Sequence, residues 1–351
     1  MPRVVSFTAA RVAEVVEEPA RPLNEQDVRL RTLFSGISAG TELTAYRGTN
    51  PYLSKQWDGE RRLFVDGTAS REYPLVGWGY EEVGEVVEIG TGVEGVSVGD
   101  RIWGTWGHRS ETVVTAEYAR ARVLAPDVDP RVGMFSQIGG IALNVVLDAD
   151  IHVGETVAVF GLGVPGQLVA QLARLNGARV IAVDGVASRR ELALKLGAAE
   201  ALDPADGGVA EQIRARTGGR GADVCLEVTG NYAALHEAIR SVAYSSRVCA
   251  AGFMQGDGVG LRLGEEFHHN RVQVVSTQIS GVAPALQHRW DRFRLDSTAI
   301  SLASSGTLRV TDLISHTFSL EQAPEAFELL HKASQDVLQV VLAGAGVTFR
   351  A

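Results

Sequence analysis

The feature that most constrains this chain is the hexapeptide Gly161-Leu162-Gly163-Val164-Pro165-Gly166, set between the apolar run TVAVF and the 3–4-spaced apolar residues of GQLVAQLARLNG. A GxGxxG on its own is common, but one between a buried strand and a helix imposes a strand–turn–helix unit. Gly161 allows the tight turn, Gly163 lets a ligand approach the backbone, and Gly166 lets the helix pack closely on the strand. Pro165 falls in the turn and first helical residues, where a missing N–H costs little. The free N–H groups and dipole of the helix N-terminus then favour an anion, which this spacing predicts to be the pyrophosphate of a dinucleotide.

Asp184, at the end of RVIAVD, supplies the second half of that fingerprint. A carboxylate about twenty residues beyond the glycines accepts both ribose hydroxyls and repels a 2′-phosphate, so NAD is the expected cofactor. Two features oppose this reading. Asp184 could instead cap the helix SRRELALKLGA, and Arg189 and Arg190 follow closely, where an arginine accommodates the phosphate of NADP. Arg189, Thr229 at the end of ADVCLEVTG, and Gly252-Phe253 at the end of SRVCAAGF complete the expected cofactor-binding set with Leu162 and Val164.

Around this motif, strands and helices alternate from Thr156 onward (RVIAVD, SRRELALKLGA, ADVCLEVTG, AALHEAIRSVA, SRVCAAGF, VQVVSTQI), which predicts a parallel sheet covered by helices. The first ~130 residues differ. VVSFTA, VRLRTLFSGI, VGEVVEIG, RIWGTW and ETVVTAEYARARVLAP read as strands between Gly and Pro turns. Residues 50–73 read as a long irregular loop, and Lys55, Trp57, Arg61 and Arg62 on it would suit closure over a polar or anionic substrate. A tail from about 282 carries the helix LEQAPEAFELLHKA and the strand LQVVLAG. The expected domains are therefore 1–130, 131–281 and 282–351, in an α/β chain.

Composition narrows the partners. The chain has 351 residues, 33 Lys+Arg against 42 Asp+Glu, a formal charge of −9 and no basic run, which argues against nucleic-acid or anionic-membrane binding. MPRVVSFTAARVAEVVEEPA lacks signal-peptide character and no uncharged apolar stretch reaches about 18 residues, so a cytoplasmic protein is expected. The two cysteines, Cys225 and Cys249, sit in apolar runs and read as reduced core thiols.

SGISAGTEL (35–43), YPLVGWGYEEVGEVVEIG (73–90), VGDRI (98–102), the glycine fingerprint and HTFSLEQAPEAFELL (316–330) resemble the medium-chain dehydrogenase/reductase superfamily over essentially the whole chain. Within it, SGISAGTE followed by GYE is most similar to the 3-hydroxyethyl bacteriochlorophyllide dehydrogenase group. The resemblance implies a GroES-like β-rich catalytic domain plus a Rossmann, doubly wound parallel-sheet domain. It also implies an active site in the interdomain cleft, STQISG (276–281) near the nicotinamide and the subunit interface, and a homodimer or homotetramer. Zinc alcohol dehydrogenases of that superfamily carry a motif like SGICxTD, a GHE motif and a third ligand. Here those positions fall on Ser38 or Ala39, on Tyr80 and near Gln137, and no four-cysteine lobe exists. Such residues do not make a zinc set, so no metal is expected.

Without a metal, hydrogen-bond donors or a base must stabilise the substrate oxygen. Tyr80 is the first candidate, better as donor than as base at an ordinary phenol pKa near 10. Thr41 matches, by resemblance, the proton-relaying hydroxyl of the zinc enzymes. Ser38, Glu81, Glu42 and His108 are the further candidates, each with an ordinary turn, ion-pair or loop role as its alternative. His268-His269 after Glu265-Glu266 look like metal ligands, but they read as a loop before VQVVSTQ. No Tyr-x-x-x-Lys, GxSxG or Walker A sequence appears. The expected activity is NAD-dependent hydride transfer between nicotinamide and a secondary alcohol or ketone. The alternatives are an NAD(P)H-dependent quinone or enoyl reductase, a redox-neutral enzyme holding NAD tightly over a sugar-like alcohol, and a non-catalytic NAD(H) sensor.

Overall fold

The computed structural model describes residues 1–332 and 337–347. Two compact units emerge, one of Met1–Gln137 with the stretch from Ile314 onward, the other of Ile138–Leu313.

In the first unit, alternating apolar residues make Asp27–Ile37 a strand with Val28, Leu30 and Phe34 buried. It pairs antiparallel with Glu82–Ile89, Glu111–Thr115 and Gln339–Ala343. Arg101–Gly104 and Val123–Leu124 continue the sheet on one side, Ile314–Ser319 on the other. Val12–Glu17, Arg3–Ala9 and Leu75–Val76 form a second, three-stranded sheet. Phe7, Ile37, Tyr46 and Phe327 share one core, with Phe7 and Phe327 edge to face at 4.9 Å between ring centroids. Such a pair contributes about 0.5–1.5 kcal/mol beyond its buried area.

Three segments depart from the all-β expectation, the shortest being Ala116–Arg120, an α-helix inside the ETVVTAEYARARVLAP run that begins at the Thr115 cap. Ala39–Arg47 is an α-helix, ended by Gly48 in the left-handed region at φ 79°. Its Gly and Thr residues have weak helix propensity, and burial of Leu43, Ala45 and Tyr46 overrides it. The 50–73 segment is not irregular throughout: Pro51–Leu53 forms a 3-10 turn, and Gln56–Asp58 pairs with Leu63–Val65 as a hairpin. The expected C-terminal helix forms over Ala323–His331, while Ala333, the end of its sequence pattern, lies outside the described residues.

The second unit is a six-stranded, all-parallel sheet in the order Glu200–Leu202, Arg179–Val183, Thr156–Phe160, Ala222–Glu227, Val242–Ala250, Gln273–Ser276. Chain order runs outward from Thr156–Phe160 in one direction and then restarts beside it in the other. This is the doubly wound topology, whose switch point lies between Thr156–Phe160 and Ala222–Glu227. The continuous apolar runs suit strands buried on both faces: Ala158, Ile181, Cys225 and Val248 are fully buried.

Residues 282–313 do not follow the expected boundary. Helix Arg292–Ser304 clusters with the second unit. Gly139 and Gly140 leave room for it, since a Cβ at Gly139 would lie 2.7 Å from Ala299 Cβ and one at Gly140 would overlap Asp296. The units therefore part at 137/138 and 313/314 rather than at 130/131 and 281/282. Among the described residues, Pro130–Ala149 is the one run long and apolar enough to cross a membrane, and 78% of it is buried, as in a core helix.

Candidate active site and nucleotide cradle

In the first unit, strand Asp27–Ile37 runs into helix Ala39–Arg47 through Ser38, the N-cap residue. The Ser38 hydroxyl does not cap the helix; it hydrogen-bonds the Tyr80 hydroxyl. The Tyr80 hydroxyl also donates to Thr41 Oγ1 at 3.3 Å. Three hydroxyls from one helix N-terminus and one turn thus converge, with Tyr80 and Thr41 half-buried. Burial pushes the Tyr80 phenol above its ordinary range, so it keeps its proton and can act as a donor.

Behind these hydroxyls lies a dry polar chain. Glu42 Oε1 accepts the Ser38 N–H at 2.8 Å, and Oε2 meets His108 Nε2 at 2.6 Å, with both side chains fully buried. His108 Nδ1 lies 2.6 Å from Ser35 Oγ, which donates to Glu82 Oε1 at 3.1 Å, and Glu82 Oε2 accepts the Trp106 N–H at 2.6 Å. Ser35 has one proton and gives it to Glu82, so Nδ1 must be the donor to Ser35. Burial works against the His108 imidazolium, but the Glu42 carboxylate outweighs it and the net shift is upward. Gly79, at φ 118°, leaves space for the ring, since a Cβ there would lie 2.9 Å from His108 Cε1. His108 is thus neither a surface loop residue nor part of the hydroxyl cluster, but the buried partner of Glu42.

Glu81 is 1% exposed, and among the described residues neither carboxyl oxygen has a hydrogen bond of ordinary geometry. Gly36 makes room for it, as a Cβ there would sit 2.5 Å from Glu81 Oε2. Burial first, then Glu42 and Glu82, raise this carboxyl well above the usual range, against a smaller lowering from the Gln339 amide, and so favour its neutral form. Sequence reasoning missed Ser35 and Glu82; the only signal was polar residues inside strands that otherwise bury their side chains.

In the second unit, Gly161 turns at φ 92°, and a Cβ there would press on Thr229 Cγ2 at 2.5 Å. A Cβ at Gly166 would overlap the Gly161 carbonyl, whereas one at Gly163 would meet nothing nearer than Pro165 Cδ at 4.0 Å. Close packing at Gly166 and open space at Gly163 are what a phosphate cradle needs. Gly163 is the N-cap of Val164–Leu175, no side chain caps that helix, and Pro165 lies in its first turn. Asp184 Oδ2 accepts the Leu162 N–H at 2.7 Å and Oδ1 the Val186 N–H at 2.8 Å. The N-cap of Ala187–Lys195 is Val186, so Asp184 does not occupy the cap position. A cavity of about 350 Å³ opens here, lined by Gly161, Asp184, Pro204, Thr229 and Asn231 among others.

Thr229, Gly252 and Phe253 meet at the strand ends. Glu227 Oε1 accepts the Thr229 N–H at 2.7 Å, and the Glu227 carbonyl accepts the Gly252 N–H at 3.1 Å. Arg190 is held by the Asp184 carbonyl at 2.7 Å and by Asp203 at 2.7 Å, and the Arg189 carbonyl accepts from Gln167 Nε2 at 2.8 Å. Pro204, Asn231, Glu227 and Gln167 had no motif to announce them.

Comparison with known proteins agrees with this geometry. Residues 26–156 match the alcohol dehydrogenase GroES-like domain and residues 165–293 the zinc-binding dehydrogenase family. D-guloside 3-dehydrogenase of Escherichia coli K12 is 32% identical over 327 residues, spanning 91% of this chain and 93% of that protein. The chain belongs to the medium-chain dehydrogenase/reductase superfamily. Alcohol oxidoreduction is the chemistry of these relatives by name, and this member is an oxidoreductase of that class. The fold is also that of 2R,3R-butanediol dehydrogenase from Bacillus subtilis, with TM-score 0.78 and 22% identity over 98% of this chain and 99% of that one. A short chain alcohol dehydrogenase of Escherichia coli CFT073, complexed with NADH, gives TM-score 0.74 and 19% identity over 97% and 99%.

The family description implies zinc, and the donors here do not fit it. Ser38, Thr41 and Tyr80 offer neutral hydroxyls bonded to one another, Glu42 is committed to His108, and Glu81 is a carboxyl whose pKa burial raises. Zinc takes thiolate, imidazole and carboxylate in tetrahedral sets. Gln137 sits in helix Ser136–Ala149 and adds only an amide. The dinucleotide, in contrast, fits the cradle of Gly161, Gly163 and Gly166.

Proposed function

We propose that this dehydrogenase is zinc-independent and NAD-dependent, and that it acts on a secondary alcohol of a carbohydrate glycoside. The observation that carries the reading is the Ser38–Thr41–Tyr80 hydroxyl cluster standing where zinc relatives place ligands, backed by a neutral Glu81. The similarity to D-guloside 3-dehydrogenase supports the carbohydrate class.

NAD supplies a hydride acceptor when bound. Gly163 and the uncapped helix start hold its pyrophosphate, and Asp184 binds the ribose hydroxyls with the lone pairs its two backbone amides leave free. Arg190 is already paired with Asp203, which supports NAD over NADP. In the ketone-reducing direction the Tyr80 phenol turns its proton from Thr41 to the carbonyl oxygen and gives it up as that oxygen becomes an alkoxide; in alcohol oxidation the alcohol proton returns to the Tyr80 oxygen and leaves to solvent through the Ser38 and Thr41 hydroxyls, which also orient the phenol. Preorganised donors of this kind do the work a Lewis acid does elsewhere. The exposed edge strand Gln273–Ser276 supports assembly as a homodimer or homotetramer.

The test is reduction of NAD or NADP by EDTA-dialysed protein with a panel of methyl glycosides. Turnover with NAD, indifferent to added zinc, is expected. A kcat/KM favouring NADP, or activity restored only by zinc, would overturn the reading. No turnover with any alcohol or ketone would favour a sensor.

A further inference from the structure

The motif Glu265-Glu266-x-His268-His269 suggested metal ligands, but His268 and His269 pack against each other at 5.3 Å between rings. The two carboxylates instead face His236, on helix Tyr232–Ser241. One ligand atom each from His236, Glu265 and Glu266 lies within 4.8 Å of the others.

His236 is 5% exposed, and among the described residues neither ring nitrogen has a hydrogen-bond partner. An unsatisfied buried polar group costs about 1–3 kcal/mol, so such a ring needs an occupant for at least one nitrogen. Glu266 Oε2 is also buried without a partner. Both carboxylates are held by arginines: Arg240 Nε approaches Glu266 Oε1 at 3.4 Å, and Arg262 Nε donates to Glu265 Oε2 at 2.8 Å. Outer partners that orient a ligating carboxylate are characteristic of metal sites. The two acids lie on the π-type turn Leu263–Phe267, where Glu265 leaves helical geometry at φ −95°, ψ −125°.

We propose that His236, Glu265 and Glu266 form a divalent-metal site in the nucleotide-binding unit, of the zinc class, completed by water. One imidazole and two carboxylates are ordinary zinc donors. Tetrahedral ligands at about 2.0–2.2 Å from zinc stand about 3.3–3.6 Å apart. Closing from 4.8 Å therefore takes roughly an ångström of movement, within reach of the exposed Glu265. The ion clamps the π turn onto helix Tyr232–Ser241 and has no part in the hydroxyl-site chemistry.

The test uses the full chain, stripped with EDTA, reloaded with zinc chloride and passed through gel filtration before metal analysis, with calorimetry for affinity. One zinc per chain is expected, with affinity falling about tenfold or more in His236→Gln and Glu266→Gln and unchanged in Glu81→Gln. Glu265→Gln, at an exposed position, keeps the test decisive where a buried variant fails to fold. Absence of stoichiometric zinc, or zinc retained undiminished in His236→Gln or Glu265→Gln, overturns this site alone. Zinc that survives His236→Gln but vanishes in Glu81→Gln overturns both this site and the zinc-free reading of the hydroxyl cluster.

Discussion

Replacing His108 with Leu removes both hydrogen bonds of a ring with no exposed surface and little change of volume. Glu42, also unexposed, would keep only the Ser38 N–H as partner. Breaking a buried pair by deleting one partner costs about 3–5 kcal/mol, chiefly because the remaining charge is stranded. Ser35 keeps Glu82, so its share is smaller, about 1 kcal/mol. The expected loss is thus about 4–6 kcal/mol, a fall in Tm of about 8–24 °C at roughly 2–4 °C per kcal/mol for a unit of this size. Four of the five tryptophans, Trp57, Trp78, Trp103 and Trp106, lie in the first unit, so urea unfolding followed by their fluorescence reports the right region. Adding Glu42→Gln removes the stranded charge and should recover about 2 kcal/mol of the loss. A single variant within 1 kcal/mol of the parent, or a double variant as unstable as the sum of the two singles, would refute the claim that this pair fixes the helix carrying Thr41.

Tyr80→Phe deletes the phenol that, in the proposed reading, turns its proton from Thr41 to the substrate oxygen; kcat should fall about 10²–10³-fold with KM for NAD unchanged, and parental kcat would remove Tyr80 from the chemistry. Asp184→Ala should raise KM for NAD about tenfold or more and narrow the NAD/NADP ratio in steady-state assays, and an unchanged ratio would show that selectivity resides elsewhere. Glu81 gives a pH prediction. Its folded carboxyl stays protonated where the unfolded one, with a pKa of about 4.3, has ionised, so the folded state binds more protons. Stability from this group is fully present below that value and is lost as pH rises through the folded pKa. The raised His108 acts in the same direction above about pH 6.5. Glu81→Gln should therefore flatten the decline of stability between pH 5 and 8 in urea titrations, and an unaltered slope would contradict a neutral Glu81.

What the sequence carried was what short-range rules encode. The strand–glycine–helix unit was legible because each glycine answers a steric demand that the structure displays, most directly the collision a Gly166 Cβ would have with the Gly161 carbonyl. Tyr80, Thr41 and Ser38 were legible as positions in a motif, though not as one hydrogen-bonded cluster. Helix Ala39–Arg47 was hidden because tertiary burial, not propensity, makes it. The Ser35–His108–Glu42 contact was illegible for another reason. Its members are 73 and 66 residues apart along the chain, on a strand, a turn and a helix, and no periodicity links them.

The charge arithmetic behind the hydroxyls ties these pieces together. Glu42, Glu81 and Glu82 share one region with a single imidazole, and none is more than 1% exposed. Glu82 accepts hydrogen bonds from Ser35 and Trp106, and Glu42 from the Ser38 N–H with His108 at its other oxygen, so each has polar partners, although burial still raises the Glu82 carboxyl above its ordinary range. Glu81 accepts none of ordinary geometry among the described residues, and burial raises its carboxyl well above the usual range, which favours the proton-bearing form. Were it ionised, the substrate oxygen would develop negative charge against a fixed anion in a dry site, which is the opposite of what a metal dication provides. A neutral Glu81 lowers that barrier, and it leaves Tyr80, kept protonated by the same surroundings, as a donor. In the proposed zinc-independent reading, the protonation state of one buried carboxyl thus decides whether hydroxyls can stand in for a metal.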